Sequence, residues 1–183
     1  MKILIVVDMQ RDFINGALGT PEAQAIVPNV AKKVMEYANN DDIIIYTRDT
    51  HYDDYLDTME GKKLPVPHCI KGTHGWGISQ AVDIIYDKVF VINKPTFGYT
   101  RWERDINDFT LSVYERPLAV DSIELVGLCT DICVISNAMI LKATYPETPI
   151  VVDASCCAGV TPQSHKNALE AMKMCQIDVV GES

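Results

Sequence analysis

Three residues that could share covalent and acid–base chemistry stand at the ends of short apolar runs. Asp8 follows Lys2–Val7, Lys94 follows Lys88–Asn93, and Cys133 lies just past Ser122–Gly127. A cysteine can attack a carbonyl and hold the acyl group as a thioester. A carboxylate beside it can take the thiol proton and return it to a leaving amine, while a lysine favours the thiolate and holds the carboxylate. The stretch Gly127-Leu128-Cys129-Thr130-Asp131-Ile132-Cys133 joins the apolar run Ile123–Val126 to the helix-permissive run Val134–Ala143. Cys133 is therefore expected in the first turn of a helix. Unpaired N–H groups and the positive end of the helix dipole there favour thiolate and offer donors to an oxyanion. Taken singly, each residue also has a plainer reading: a loop cap for Asp8, a solvated side chain for Lys94, a small buried hydrophobe for Cys133.

A second group lies in the loop after the run Asp42–Thr47. Asp49 and His51 are spaced D-x-H, and His68 follows Pro65-Val66-Pro67. Alternate side chains of an extended segment point the same way, so Asp49 and His51 can face one ion. One carboxylate and two imidazoles suit a divalent metal, Zn²⁺ first and Fe²⁺ or Mn²⁺ as alternatives, with open positions for water or a substrate ring nitrogen. Asp53 and His74 are further donors in the same loop but are left out of this set, and His165 is expected on the surface of the last helix. The six cysteines include Cys129 and Cys133 at C-x3-C and the adjacent pair Cys156-Cys157. Neither is a zinc-ribbon pattern, and in a cytosolic chain thiols stay reduced.

The elements that must position these residues alternate. Strands are expected at 2–7, 42–47, 88–93, 122–127, 149–152 and 177–180, and helices at 23–38, 77–85, 102–114, after Thr130, and at 161–174 with a cap at Thr161. Short β-branched runs alternating with helices indicate βαβ units, hence one α/β domain over residues 1–183 with a parallel sheet and its site at the carboxyl ends of the strands. No G-x-G-x-x-G follows the first strand, which argues against a dinucleotide site. The net charge of −9 argues against nucleic-acid and membrane-surface partners. The short apolar N-terminal run and the lack of any stretch of ~20 apolar residues lead to an expected cytoplasmic location.

Six segments carry a resemblance. Val7-Asp8-Met9-Gln10-Arg11-Asp12-Phe13, Thr47-Arg48-Asp49-Thr50-His51, Pro67-His68-Cys69-Ile70-Lys71-Gly72-Thr73, Lys94-Pro95-Thr96-Phe97, Gly127–Cys133, and Asp153-Ala154 with the Thr161-Pro162 helix occur in order. Together they resemble the isochorismatase-like cysteine hydrolases, and among them the nicotinamidases. The resemblance implies a three-layer α-β-α fold with a six-stranded parallel sheet. It implies Asp8, Lys94 and Cys133 as catalytic residues, Asp49, His51 and His68 as metal ligands, and a homo-oligomer. It also implies a cis peptide between Leu128 and Cys129, with the backbone N–H groups of Cys129 and Cys133 as the oxyanion hole. The implied partner is a small-molecule amide, with Phe13 against its ring. Pro65 stands where the family often has a ring-stacking Trp, so Tyr99 or Trp76 is expected to supply the other aromatic wall. Isochorismate hydrolysis in the family does without a nucleophilic cysteine, which favours an amide or ureido substrate here. A thiol redox protein using Cys129 and Cys133, a fold that only binds, and a metal acting without Cys133 are the competing readings.

Overall fold

The computed structural model describes residues 1–116 and 118–182. The chain starts at the centre of its sheet. β1 (Lys2–Val7) pairs in parallel with β2 (Ile43–Asp49) on one side and with β4 (Ser122–Leu128) on the other. β3 (Val89–Lys94) extends the first half, and β5 (Ile150–Ala158) and β6 (Asp178–Val180) extend the second, giving the order β3-β2-β1-β4-β5-β6. The connections diverge between β1 and β4, which is where sheets of this kind open a ligand crevice beyond their carboxyl ends.

The central strands are apolar without alternation because both faces are covered. Ile3, Ile5 and Val7 join the core under α4 (Trp102–Tyr114), α5 (Ile135–Thr144) and α6 (Pro162–Met174), whose Trp102, Ala138, Leu141 and Leu169 pack there. Leu4 and Val6 face the opposite way, against Ile26, Val30 and Val34 of α2 (Pro21–Asn39). Each such buried side chain contributes about 1.5–3 kcal/mol. α2 begins earlier than its apolar spacing indicates: Thr20 Oγ1 accepts the Ala23 N–H at 3.0 Å and Pro21 takes the first helical position. Thr161 and Ser164 form the capping box that starts α6. Three layers and a six-stranded parallel sheet are thus as the sequence indicates.

Three local expectations need correction. The segment 77–85 is not helical. Its backbone is committed to the chain after β1, where the short helix α1 (Arg11–Ile14) begins: Arg11 N–H donates to the Gly77 carbonyl at 3.0 Å and Ser79 N–H to the Met9 carbonyl at 2.9 Å. The loop 48–75 holds a 3₁₀ turn at Tyr55–Asp57 and a short helix, α3 (Met59–Lys63), capped by Thr58, whose Oγ1 accepts the Gly61 N–H at 3.0 Å. β5 runs on past Val152 to Ala158. Among the described residues, no helix is long and apolar enough to cross a membrane.

Candidate active site

Asp8 ends β1 with a left-handed backbone (φ 47°), a conformation rare for a non-glycine residue and typical of functional sites. Thr47 Oγ1 donates to Asp8 Oδ1 at 2.7 Å and accepts the Asp8 N–H at 3.2 Å, which fixes the carboxylate. Lys94 ends β3, two strands away. Its Nζ lies 2.6 Å from Asp8 Oδ2, both side chains being fully buried. The same ammonium lies 3.5 Å from Cys133 Sγ, 3.3 Å from the Thr96 carbonyl and 3.7 Å from Asp49 Oδ1. The structure thus brings Asp8, Lys94 and Cys133 together.

Burial opposes the charge on Lys94, but Asp8, Cys133 and Asp49 outweigh it and hold the ammonium protonated well above the ordinary lysine range. Burial raises the Asp8 carboxyl, against the pull of Lys94. Burial, and then Asp8, also push the Cys133 thiol up, with Lys94 opposing. Thr130–Val134 forms a π-type turn that runs straight into α5, so Cys133 stands in the first turn of the helical stretch that leaves β4, as the sequence indicates, while burial there works against the thiolate.

Gly127 lets this turn sit where it does. Its φ is +115°, and a Cβ there would lie 2.1 Å from the Val7 carbonyl oxygen, so only glycine allows β4 to close on β1. The Leu128–Cys129 peptide is cis. Cys129 and Cys133 both line the cavity above. Burial, with Asp131 and Asp8, pushes the Cys129 thiol up to about 12, which weighs against a redox role for it.

Asp49 is the last residue of β2, in register with Lys94. Its Oδ2 lies 3.0 Å from His51 Nε2 and 3.6 Å from His68 Nε2. Glu60, on α3, adds a fourth donor, its Oε1 being 3.5 Å from His51 Nε2 and 3.8 Å from His68 Nε2. One ligand atom from each of the four lies within 4.8 Å of the others. Burial resists charge on His51, yet the hydrogen bonds to Asp49 and Glu60 raise its pKa to about 9. Burial likewise resists charge on Asp49, but His51, His68 and Lys94 hold its carboxyl well below the usual range. His68 Nδ1 donates to the Val66 carbonyl at 2.8 Å, which leaves Nε2 as the free donor atom, the arrangement that orients a metal-binding imidazole. Asp49 Oδ1 is buried without a hydrogen-bond partner. Two imidazoles and two carboxylates, one ligand atom from each within 4.8 Å of the others, fit a divalent metal of the zinc, iron or manganese type. Asp53 and His74 stand outside this group.

A cavity of roughly 640 Å³ opens over both clusters, with Cys133, Asp49, Glu60 and His68 among the residues lining it. Phe13 lines it as expected, its ring 5.5 Å from that of His68. Tyr99 does not: its hydroxyl donates to Asp105, its N–H donates to Asn137 Oδ1 at 2.9 Å, and its ring meets Trp102 edge-on, so the substrate-binding assignment of Tyr99 is withdrawn. Phe97, two residues earlier, takes that side of the cavity. Trp76 is also turned away, donating Nε1–H to Thr50 Oγ1 at 2.9 Å beneath the Arg48 guanidinium. Nor is His165 a plain surface residue: its Nδ1 lies 2.8 Å from Thr130 Oγ1, beside the turn that carries Cys133.

Sequence reasoning also missed several supports. Asp12 Oδ2 accepts the Cys69 N–H at 2.8 Å and so anchors the segment next to His68. Asn137 donates Nδ2–H to the carbonyls of Cys133 at 2.8 Å and Phe97 at 3.0 Å, joining the cysteine turn to the cavity wall. Glu60 had one signal, a first-turn acid after the capping residue Thr58.

The isochorismatase domain family model matches residues 2–181. The nicotinamidase/pyrazinamidase of Mycobacterium tuberculosis is 29% identical over 189 residues, covering 100% of both chains. The nicotinamidase of Saccharomyces cerevisiae is 29% identical over 219 residues, covering 98% of this chain and 99% of its own. Among solved structures, the pyrazinamidase of Pyrococcus horikoshii in complex with zinc superposes with a TM-score of 0.78 at 26% identity, covering 99% of each chain.

Proposed function

Because the chain belongs to the isochorismatase domain family, we propose that it is a cysteine-dependent amidohydrolase that converts nicotinamide to nicotinate and ammonia. The observation that carries this reading is the placement of Lys94 Nζ, 2.6 Å from Asp8 and 3.5 Å from Cys133 Sγ, beside a cavity lined by Cys133 and by Asp49, Glu60 and His68 of the four-residue group. The activities named for the relatives support the same class of reaction.

In this reading Cys133 is a thiol at rest and Asp8 its base. Asp8 takes the thiol proton as Sγ attacks the amide carbon. The raised pKa of the carboxyl makes it a better base than an ordinary aspartate. Lys94 stays protonated and compensates the negative charge that passes from Asp8 to sulfur. Backbone N–H groups of Cys129 and Cys133 serve the developing oxyanion. Asp8 then gives its proton to the departing nitrogen, ammonia leaves, and a thioester remains. Water, deprotonated by Asp8, attacks that thioester, and the acid and the free thiol are released. A divalent metal held by Asp49, His51, His68 and Glu60 would supply a Lewis acid that anchors a ring nitrogen and polarises water. Phe13 packs on the ring.

Another small amide or ureido compound is the second reading, favoured by one observation: Pro65 stands where a Trp is expected, and neither Tyr99 nor Trp76 joins Phe13 and Phe97 in lining the cavity. Ammonia release from nicotinamide by zinc-, iron- or manganese-loaded protein, with Cys133→Ala as blank, tests the proposal. Turnover lost in the variant supports it. Full turnover in the variant sinks the cysteine mechanism.

A further inference from the structure

Asp49, Glu60, His68 and Cys133 line the cavity together, the rest of the lining is mostly apolar, and Lys63 is the one lysine or arginine in it among the described residues. Four large apolar side chains around it remain exposed: Met59 at 71%, Val160 at 53%, Phe97 at 43% and Leu64 at 38%. They come from three separate parts of the chain: α3 with its C-cap, the loop after β3, and the loop after β5. Three of the four have their backbones held. Asn137 Nδ2 donates to the Phe97 carbonyl at 3.0 Å, Val160 N–H donates to the Asp131 carboxylate at 3.1 Å, and Leu64 N–H donates to the Glu60 carbonyl at 2.8 Å. Single exposed hydrophobes are ordinary, but a held cluster continuous with a reactive cleft marks a binding surface. A volume near 640 Å³ also falls within the ~300–1,000 Å³ of pockets that enclose drug-sized ligands, well beyond one ring and an amide.

We infer that the preferred substrates are carboxamides whose ring bears an apolar substituent, and that Met59, Leu64, Phe97 and Val160 receive that substituent. The inference rests on the amidohydrolase reading and narrows its substrate class. The reacting end stays the same, with Cys133 taking the acyl carbon and ammonia leaving. The added binding energy comes from burying alkyl or aryl surface that a bare nicotinamide lacks.

The test is kcat/KM of the metal-loaded protein for nicotinamide and for its 5-alkyl and 6-alkyl derivatives, methyl through butyl. In at least one series kcat/KM should rise by up to about fourfold per methylene, the factor expected for complete burial. Leu64→Asp and Val160→Asp should flatten that rise. If nicotinamide itself is best and every methyl derivative is worse, the inference fails while the amidohydrolase reading stands. If no amide in the series is turned over, the nicotinamide reading fails, and calorimetric Kd values decide the inference alone: tightening along a series supports it and a flat series overturns it. Sedimentation of the wild type and both variants covers the other occupant. A wild-type dimer that the aspartates dissociate, together with a flat series, would make this rim a contact between copies and overturn the inference.

Discussion

Gln10 grips Asp49 by both of its backbone groups. Gln10 Oε1 accepts the Asp49 N–H at 2.7 Å, and Nε2 donates to the Asp49 carbonyl at 2.9 Å and to the Trp76 carbonyl at 2.9 Å. The amide is fully buried and spans from the turn after β1 to the end of β2, so the carboxylate that faces both imidazoles is aimed from behind. Two of the site's strands are thereby locked by one side chain.

Gln10→Leu should therefore loosen metal binding as well as stability. Losing the bonds leaves buried backbone groups unpaired, at about 1–3 kcal/mol each. Misaiming a ligand from its supporting shell lowers metal affinity by about 10–100-fold. Chelator competition for zinc, read beside a urea midpoint, checks both effects. A lower midpoint with unchanged zinc affinity would mean that Gln10 serves the fold alone.

The buried Asp8–Lys94 pair makes a prediction that separates stability from chemistry. Asp8→Asn and Lys94→Met should each cost about 3–5 kcal/mol, because each strands the other's charge in the interior. The double variant should recover much of that stability. It should recover none of the activity, since removal of a general base alone costs about 10²–10⁴-fold in kcat. Denaturation midpoints and single-turnover rates on the four proteins decide it. A double variant as unstable as the sum of the singles would mean that the charges are not coupled.

The sheet was legible in the sequence because its central strands are continuous apolar runs, and their ends gave Asp8, Asp49 and Lys94 their places. What escaped depended on long-range pairing. Residues 77–85 look helix-permissive, but the backbone after β1 takes their hydrogen bonds. Glu60 reaches the imidazoles only because the loop brings α3 back to His51 and His68, and nothing local to Glu60 says so. Tyr99 lies so close in sequence to Phe97 that only tertiary contacts tell which ring faces the cavity, and Asp105, Trp102 and Asn137 claim Tyr99. The raised Cys133 thiol is a matter of burial depth, which spacing does not carry.

That division between two aromatic side chains can be tested directly. Tyr99→Phe removes a hydrogen bond to Asp105 outside the cavity and should cost about 1 kcal/mol of stability with kcat/KM nearly unchanged. Phe97→Ala removes a cavity wall and should raise KM severalfold while leaving kcat within about twofold. Steady-state kinetics of both variants on whichever amide the protein turns over provides the check. A Tyr99→Phe enzyme with a raised KM would restore Tyr99 to the site.

The last prediction concerns charge on the opposite face of the sheet. Lys33 on α2 lies 2.8 Å from Glu124 Oε1 and 2.9 Å from Asp153 Oδ2, Tyr37 OH donates to Glu124 Oε2 at 2.6 Å, and Ser155 donates N–H and Oγ–H to Asp153 Oδ1 at 3.0 and 2.6 Å. Burial opposes charge on Asp153, but Ser155 and Lys33 prevail and hold its carboxyl below the ordinary range. Burial also opposes charge on Lys33, and its hydrogen bonds to Glu124 and Asp153 prevail and raise it. The unfolded chain thus binds the Asp153 proton more readily than the folded one. This stabilisation is present above the ordinary carboxylate pKa of about 3.9 and is lost as pH falls through the lower folded value. For Lys33 the sign reverses: the stabilisation is present below about pH 10.4 and is lost as pH rises through the raised folded value. Urea midpoints of wild type and Lys33→Met, from about pH 3 to about pH 11, should differ most across the neutral plateau and converge towards both ends. A difference constant over the whole range would show that Lys33 acts through the packing of its methylenes and not through its charge.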